Sequence, residues 1–143
     1  MANFNKAHKF VSQAEGGYSS DSDDKGNWVD GKLVGTNYGI SAPVLKAYLG
    51  RSPSQAEMKR LPHSTAMRIY KRNYWDRIKG DKLKNESVAL LLYDSAVNQG
   101  VGAIKRMVKD GLSKQNKTFK GFNTEGVTQI NKANQKRLFT DVW

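Results

Sequence analysis

Short apolar-faced stretches alternate with polar, glycine-bearing breaks along the chain, and the period of the apolar positions is helical almost throughout. Phe4, Ala7, Val11 and Ala14 recur at helical spacing and predict a first helix. Gly16-Gly17 closes it, since glycine takes the left-handed cap geometry without steric cost. From Tyr18 to Val34 the pattern turns polar, and Asn27 to Val34 predicts a small hairpin turning on Asp30-Gly31. Ser41 caps a helix to Leu49, with Pro43 in its first turn and Gly50 as its stop. Ser52-Pro53-Ser54-Gln55 opens the next helix, with Ser52 as cap and Gln55 three residues on, and that helix ends near Leu61-Pro62. A third begins at Ser64 or Thr65 and runs to Asp76, with Met67, Tyr70 and Tyr74 along its apolar side. Trp75 lies off that line, bridging to the core or edging a cleft.

Asn85 caps the most apolar helix, Glu86 to Gln99, and Gly100 ends it. The wide face of Ala89, Leu92, Tyr93, Ala96 and Val97 predicts a central buried helix. Val101 to Leu112 continues with Ile104, Met107 and Val108 inward. The Lys-, Gly- and Asn-rich stretch from Ser113 to Asn123 reads as a loop, with room for a hairpin at Thr118-Phe119. A last helix spans about Thr124 to Asp141, carried by Val127, Ile130, Ala133, Leu138 and Val142. The expected fold is mainly α: one helical globule over residues 1–143, with a small β-hairpin beside an acidic loop.

Composition narrows the function classes. With 38% hydrophobic and 10% aromatic residues the chain is globular. There are no cysteines, so disulfides are excluded and the redox compartment stays undecided. No apolar run is long enough to span a bilayer, so no stable membrane insertion is expected. Met1 to Val11 carries Lys6 and Lys9 without a continuous apolar segment, unlike a secretory signal peptide. The net charge of +11 suits a polyanionic partner such as nucleic acid, an anionic lipid surface or a carboxylated cell wall. Asp21, Asp23, Asp24 and Asp30 nonetheless crowd one loop, and an acidic patch on a basic body fits a carboxylate-lined cleft better than a nucleic-acid binder. Lys105-Arg106, Lys136-Arg137 and the Arg68, Lys71, Arg72 set are spread over several helices, and no zinc finger or RNA-binding signature accompanies them.

Glu15 is the candidate with the clearest chemistry. It sits four residues after Val11 and leans toward the apolar face. It also meets the negative end of the helix dipole, and both effects disfavour its charged form, as a proton donor requires. From spacing alone a solvated glutamate at a helix end is the commoner use. Asp94 and Asn98 lie one turn apart as a polar strip, to line a groove or to bond neighbouring backbone. Trp28, at the base of the hairpin, suits sugar stacking or plain strand packing. A calcium loop starting at Asp21 fails, because its twelfth residue is Lys32 where a glutamate is needed. Zinc is equally unsupported: His8 and His63 are the two histidines, each read as a surface or capping residue, so no metal site is expected.

Five stretches, in order, carry a resemblance: Glu15-Gly16-Gly17-Tyr18, Asp21 to Gly26, Thr36-Asn37-Tyr38-Gly39-Ile40, Tyr74-Trp75-Asp76, and Tyr93 to Gly100. Together they resemble glycoside hydrolase family 108, small bacterial and phage muramidases that cut peptidoglycan, over about residues 4 to 112. The resemblance implies a lysozyme-like fold and cofactor-free hydrolysis of the MurNAc–GlcNAc β-1,4 bond. Glu15 would be the acid. Asp24 follows it at a spacing similar to the Glu and Asp of phage-type lysozymes and would position or deprotonate water, with Thr36 holding that water. Asp21 and Asp23 stay open as alternatives to Asp24. Tyr38, Tyr93 and Asn98 are implied substrate contacts. An inverting outcome is expected, with carboxylates roughly 6.5–9.5 Å apart to admit a water.

The hairpin around Asp30 reads as an insertion relative to the family, and residues after 112 match it poorly. The expected partner is peptidoglycan, met as a monomer and without nucleic acid. The expected setting is a phage endolysin made in the host cytoplasm and released to the periplasmic wall by a holin-like route. Other readings are a lytic transglycosylase on the same bond, and a catalytically inactive basic module binding cell wall or nucleic acid.

Overall fold

The computed structural model describes residues 2–12 and 17–133. In chain order the regular elements are α1 (Phe4–Ser12), β1 (Trp28–Val29), β2 (Lys32–Leu33), α2 (Ala42–Leu49), α3 (Gln55–Lys59), α4 (His63–Tyr70), α5 (Glu86–Gln99), α6 (Val101–Ser113) and α7 (Thr124–Lys132). Helices dominate, and the one sheet among the described residues is a two-stranded antiparallel hairpin. The chain divides into two compact units: residues 12–69 form one, and residues 1–11 together with 70–143 form the other. No helix among the described residues is long and apolar enough to cross a membrane.

In the continuous unit, the hairpin pairs Trp28 with Leu33 and Val29 with Lys32. Asp30 (φ 52°) and Gly31 (φ 74°) supply the two positive-φ residues that a tight hairpin turn needs. Helix α2 starts and stops where expected: the Ser41 hydroxyl accepts from the Val44 N–H, and Gly50 closes it at φ 76°. The α3 cap is one position pair away from the expectation. Ser54, not Ser52, caps it, because Glu57 stands three residues on and returns a bond to the Ser54 N–H, closing a capping box. Ser52 donates to the Asp30 carboxylate instead, which also receives the Lys46 ammonium at 2.8 Å. Lys46 and then Ser52 hold that carboxyl below its ordinary range. Arg51 grips Glu57 through both oxygens, at 2.9 and 2.6 Å, and this is the first cause that lowers Glu57 to about 2, with the Ser54 backbone bond next. Val34, Ile40, Ala42, Leu45, Met58, Leu61, Ala66 and Ile69 are the buried apolar residues here.

The discontinuous unit is built on α5, whose caps Asn85 and Gly100 and whose buried Ala89, Leu92, Tyr93 and Ala96 match expectation. Ile104, Val108 and Leu112 of α6 and Val127 and Ile130 of α7 are buried as well, while Met107 is half-buried. The expected line Met67–Tyr70–Tyr74 is corrected. Helix α4 widens into a π turn over Lys71–Trp75, and its longer period rotates the apolar line by one residue. Trp75 therefore replaces Tyr74 inside, and Trp75 is fully buried rather than edging a cleft. His8 is a second correction. Its ring lies 4.7 Å from that of Tyr70, and its Nδ1 is 2.8 Å from the Tyr93 hydroxyl, so it belongs to the core. Phe4 and Trp75 both meet the Tyr93 ring edge-on at 5.6 Å.

The loop before α7 forms no hairpin. Gln129 takes its backbone groups, accepting from the Lys120 N–H and donating to the Thr118 carbonyl, both at 2.8 Å. Helix α7 ends at Lys132, where Ala133 turns extended (ψ 155°), and the expected continuation through Leu138 to Val142 lies outside the described residues.

Two stability outcomes follow. A methyl group on Gly80 would fall 2.2 Å from the buried Trp75 ring, so Gly80→Ala should lower unfolding free energy by about 1–3 kcal/mol in urea titration; an unchanged midpoint would show that Trp75 can retreat. Glu57 is more acidic folded than unfolded, so its contribution is complete above pH 4.5 and lost as pH falls toward about 2. The melting-temperature gap between wild type and Glu57→Gln should accordingly be small, because the pair is exposed, and should shrink across that window.

Candidate active site

The loop from Tyr18 to Ile40 is held together by one buried amide. Asn27 is fully buried and ends a short 3-10 turn, Lys25–Asn27, capped by Asp24, whose Oδ1 accepts from the Gly26 N–H at 2.9 Å. The Asn27 backbone donates to the Asp24 carbonyl, and its own carbonyl accepts from both Val34 and Gly35. Its side chain donates to the Asp21 carbonyl at 2.8 Å and accepts from the Thr36 hydroxyl at 2.6 Å. Thr36 in turn exchanges two backbone bonds of 2.8 Å with Ser19. Every polar group of Asn27 is thus used, which a fully buried amide requires.

Tyr18 closes the same loop from another side. Its hydroxyl donates to the Val34 carbonyl at 2.9 Å, and its ring lies so close to Gly35 that a Cβ there would meet it at 2.6 Å. Gly35 also has φ 98°, a conformation open to glycine. Tyr18, the acidic loop and the Thr-Asn-Tyr-Gly-Ile stretch therefore meet in one hydrogen-bonded assembly, while Glu15 and Gly16 lie outside the described residues.

Two of the expected catalytic residues, Asp24 and Thr36, are both bonded to Asn27 within this assembly. Asp24 is exposed, Thr36 half-buried. Among the alternatives, Asp21 Oδ1 is occupied by the Asp23 N–H at 2.9 Å and Asp30 is paired with Lys46, whereas Asp23 is exposed. Trp28, 38% exposed, keeps a flank of its ring open while its Nε1 donates to the Ser22 carbonyl at 2.8 Å. Tyr38 sits at the tip of a two-residue turn in which Asn37 and Ile40 exchange backbone bonds, and it adopts φ 50°. A left-handed aromatic residue is strained, and such strain gathers at functional sites. The buried Asn37 amide enforces it by accepting from the Tyr38 N–H and donating to the Met58 carbonyl, and the Tyr38 ring meets His63 edge-on.

The other two implied contacts lie in the discontinuous unit. Tyr93 is fully buried among Phe4, His8 and Trp75, so the expectation that it touches substrate is corrected: no part of its ring reaches solvent. Asn98 is exposed and donates to the Asp94 carbonyl and carboxylate at 2.9 and 3.1 Å. Asn27 and Asn37 are the residues that sequence reasoning missed. A lone asparagine in a polar loop reads as a turn former, and nothing in its neighbours announces burial. No group of three or more His, Asp or Glu able to hold a metal occurs among the described residues.

Relieving the strain should separate stability from activity. Tyr38→Asn is expected to stabilise the fold by roughly 1 kcal/mol, since asparagine tolerates the left-handed region. If the tip contacts substrate, the same variant should raise KM on cell-wall glycan; unchanged kinetics would reduce Tyr38 to a structural oddity.

Residues 8–100 match the model of the family described as Glycosyl hydrolase 108, a span that contains every candidate site residue. The chain is similar to the solved structure of SagA from Brucella abortus, with 28% identity over 96% of this chain and 74% of that one, and a TM-score of 0.74. No match is found among curated proteins. The expected fold class, mainly helical and lysozyme-like with a small hairpin, is borne out.

Proposed function

Because the chain belongs to the glycosyl hydrolase 108 family and is thereby a glycoside hydrolase of peptidoglycan, we propose that it is an N-acetylmuramidase cutting the MurNAc–GlcNAc β-1,4 bond with inversion. In this reading the Glu15 carboxyl gives its proton to the leaving glycosidic oxygen as the bond to the anomeric carbon breaks. A water held by Thr36 and Asp24 attacks that carbon from the opposite face, and its proton passes to the Asp24 carboxylate. The two carboxyl groups end with exchanged protonation, which solvent resets.

The observation that supports this reading is the Asn27 amide, which joins the turn capped by Asp24 to the Thr36 hydroxyl. Of the loop carboxylates, Asp24 is the one that caps this turn, while Asp30 is taken by Lys46. The family span covers Glu15, Asp24 and Thr36 together. A net charge of +11 favours an anionic wall as target, and it accords with an endolysin that meets peptidoglycan as a monomer after holin-like release. Trp28 and Tyr38 would stack on or flank the glycan, and Asn98 is a further candidate contact.

Clearance of a purified peptidoglycan suspension tests the scheme. Glu15→Gln and Asp24→Asn, each checked for folding, should lose about 10²–10⁴-fold of the rate, with Asp23→Asn close to wild type. New reducing ends among the products mark hydrolysis; 1,6-anhydro ends would assign a lytic transglycosylase. A fully active Glu15→Gln removes the acid from the scheme.

A further inference from the structure

We propose that Asn27 is a positioning residue that locks the Thr36 hydroxyl as a hydrogen-bond acceptor toward the attacking water; this rests on the muramidase reading given above. The argument is one of donors and acceptors. The Asp21 carbonyl can only accept, so the Asn27 atom 2.8 Å from it is the NH₂ group, which fixes the orientation of the amide. The other end, facing Thr36, is then Oδ1, which also can only accept. Among the described residues Thr36 Oγ1 has one further hydrogen-bond partner, the Gly26 carbonyl at 3.5 Å, again an acceptor. The single hydroxyl hydrogen is therefore committed inside the protein, and the contact of 2.6 Å says that it goes to Asn27.

That polarity matters for the water. A nucleophilic water must aim a lone pair at the anomeric carbon and direct its hydrogens at protein acceptors. A threonine that donated to it would engage one of its two lone pairs and make the oxygen a poorer nucleophile. With its own hydrogen held by Asn27, Thr36 offers the water oxygen lone pairs only, and the Asp24 carboxylate offers the same. Both protein groups then pull hydrogens, leaving the oxygen's electrons for carbon. Asn27 is fully buried and touches no substrate, so its effect passes through Thr36.

The test compares Asn27→Asp with Asn27→Ala on soluble, uncross-linked glycan strands, with kcat expressed per folded molecule. Both variants lose the donation to the Asp21 carbonyl and both should be less stable. Only the aspartate keeps an acceptor for the Thr36 hydrogen. Asn27→Ala should lose about ten- to a hundredfold in kcat with KM within about twofold, while Asn27→Asp should keep kcat near wild type. Equal kcat in the two variants, whether both fall or neither does, overturns the proposal and leaves Asn27 a structural residue. Should Asn27→Ala not fold, Thr36→Ser against Thr36→Val takes its place: serine should retain kcat and valine lose about ten- to a hundredfold, and a fully active valine variant overturns the proposal. Glu15→Gln, run alongside, separates the two levels. If that variant is fully active the hydrolytic reading itself fails, whereas an inactive Glu15→Gln with insensitive Asn27 and Thr36 variants rejects the positioning role alone.

Discussion

A single amide organises the loop from Tyr18 to Ile40, which holds Asp24 and Thr36. Asn27 is buried without residual exposure, and it ties together Asp21, Asp24, Val34, Gly35 and Thr36 through side chain and backbone. In a site shielded from water such a network is worth more than its parts, and any vacancy in it leaves a buried polar group unpaired at about 1–3 kcal/mol. The loop has little regular structure to lean on: a two-residue-strand hairpin and a one-turn 3-10 segment. Its geometry is therefore set by side-chain bonds to backbone, with Tyr18 and Gly35 packed too tightly to slide.

The acidic loop divides its labour. Asp21 and Asp24 each hold a backbone N–H two residues on, the turn chemistry that aspartate performs without regard to catalysis. Asp30 anchors the hairpin turn to α2 through Lys46. A run of carboxylates that looks like a catalytic or metal-binding cluster is thus largely a scaffold, in which Asp24 both caps the turn carrying Asn27 and remains open to solvent.

What could be read from the sequence was local. The Asp30-Gly31 turn, the Ser41 and Asn85 caps and the Gly50 and Gly100 stops all depend on a few adjacent residues, and all stand where spacing put them. The α3 cap went astray because two serines two residues apart offer the same signal, and Glu57 decides between them. The π turn was invisible, since an apolar line drawn at constant period cannot foresee a widened turn; Trp75 and Tyr74 exchange roles as a result. His8 and Tyr93 were misread for a different reason. Each carries a polar atom that suggests solvent or substrate, and each satisfies it on the other, a pairing across 85 residues that no local pattern announces.

That long separation also bears on how the chain is made. The unit from residue 12 to 69 is continuous, so the whole of it has been synthesised once Ile69 has. The other unit is interrupted by it: Ala2 waits for the Leu83 carbonyl, and His8 for the Tyr93 hydroxyl. Until those residues are synthesised, Phe4 and His8 of α1 lack the Trp75 and Tyr93 rings they pack against. Contacts of such high sequence separation close slowly, because the loop entropy is lost before any packing is gained. The loop that carries the proposed chemistry can thus take shape on the nascent chain, while α1 meets Trp75 and Tyr93 only later.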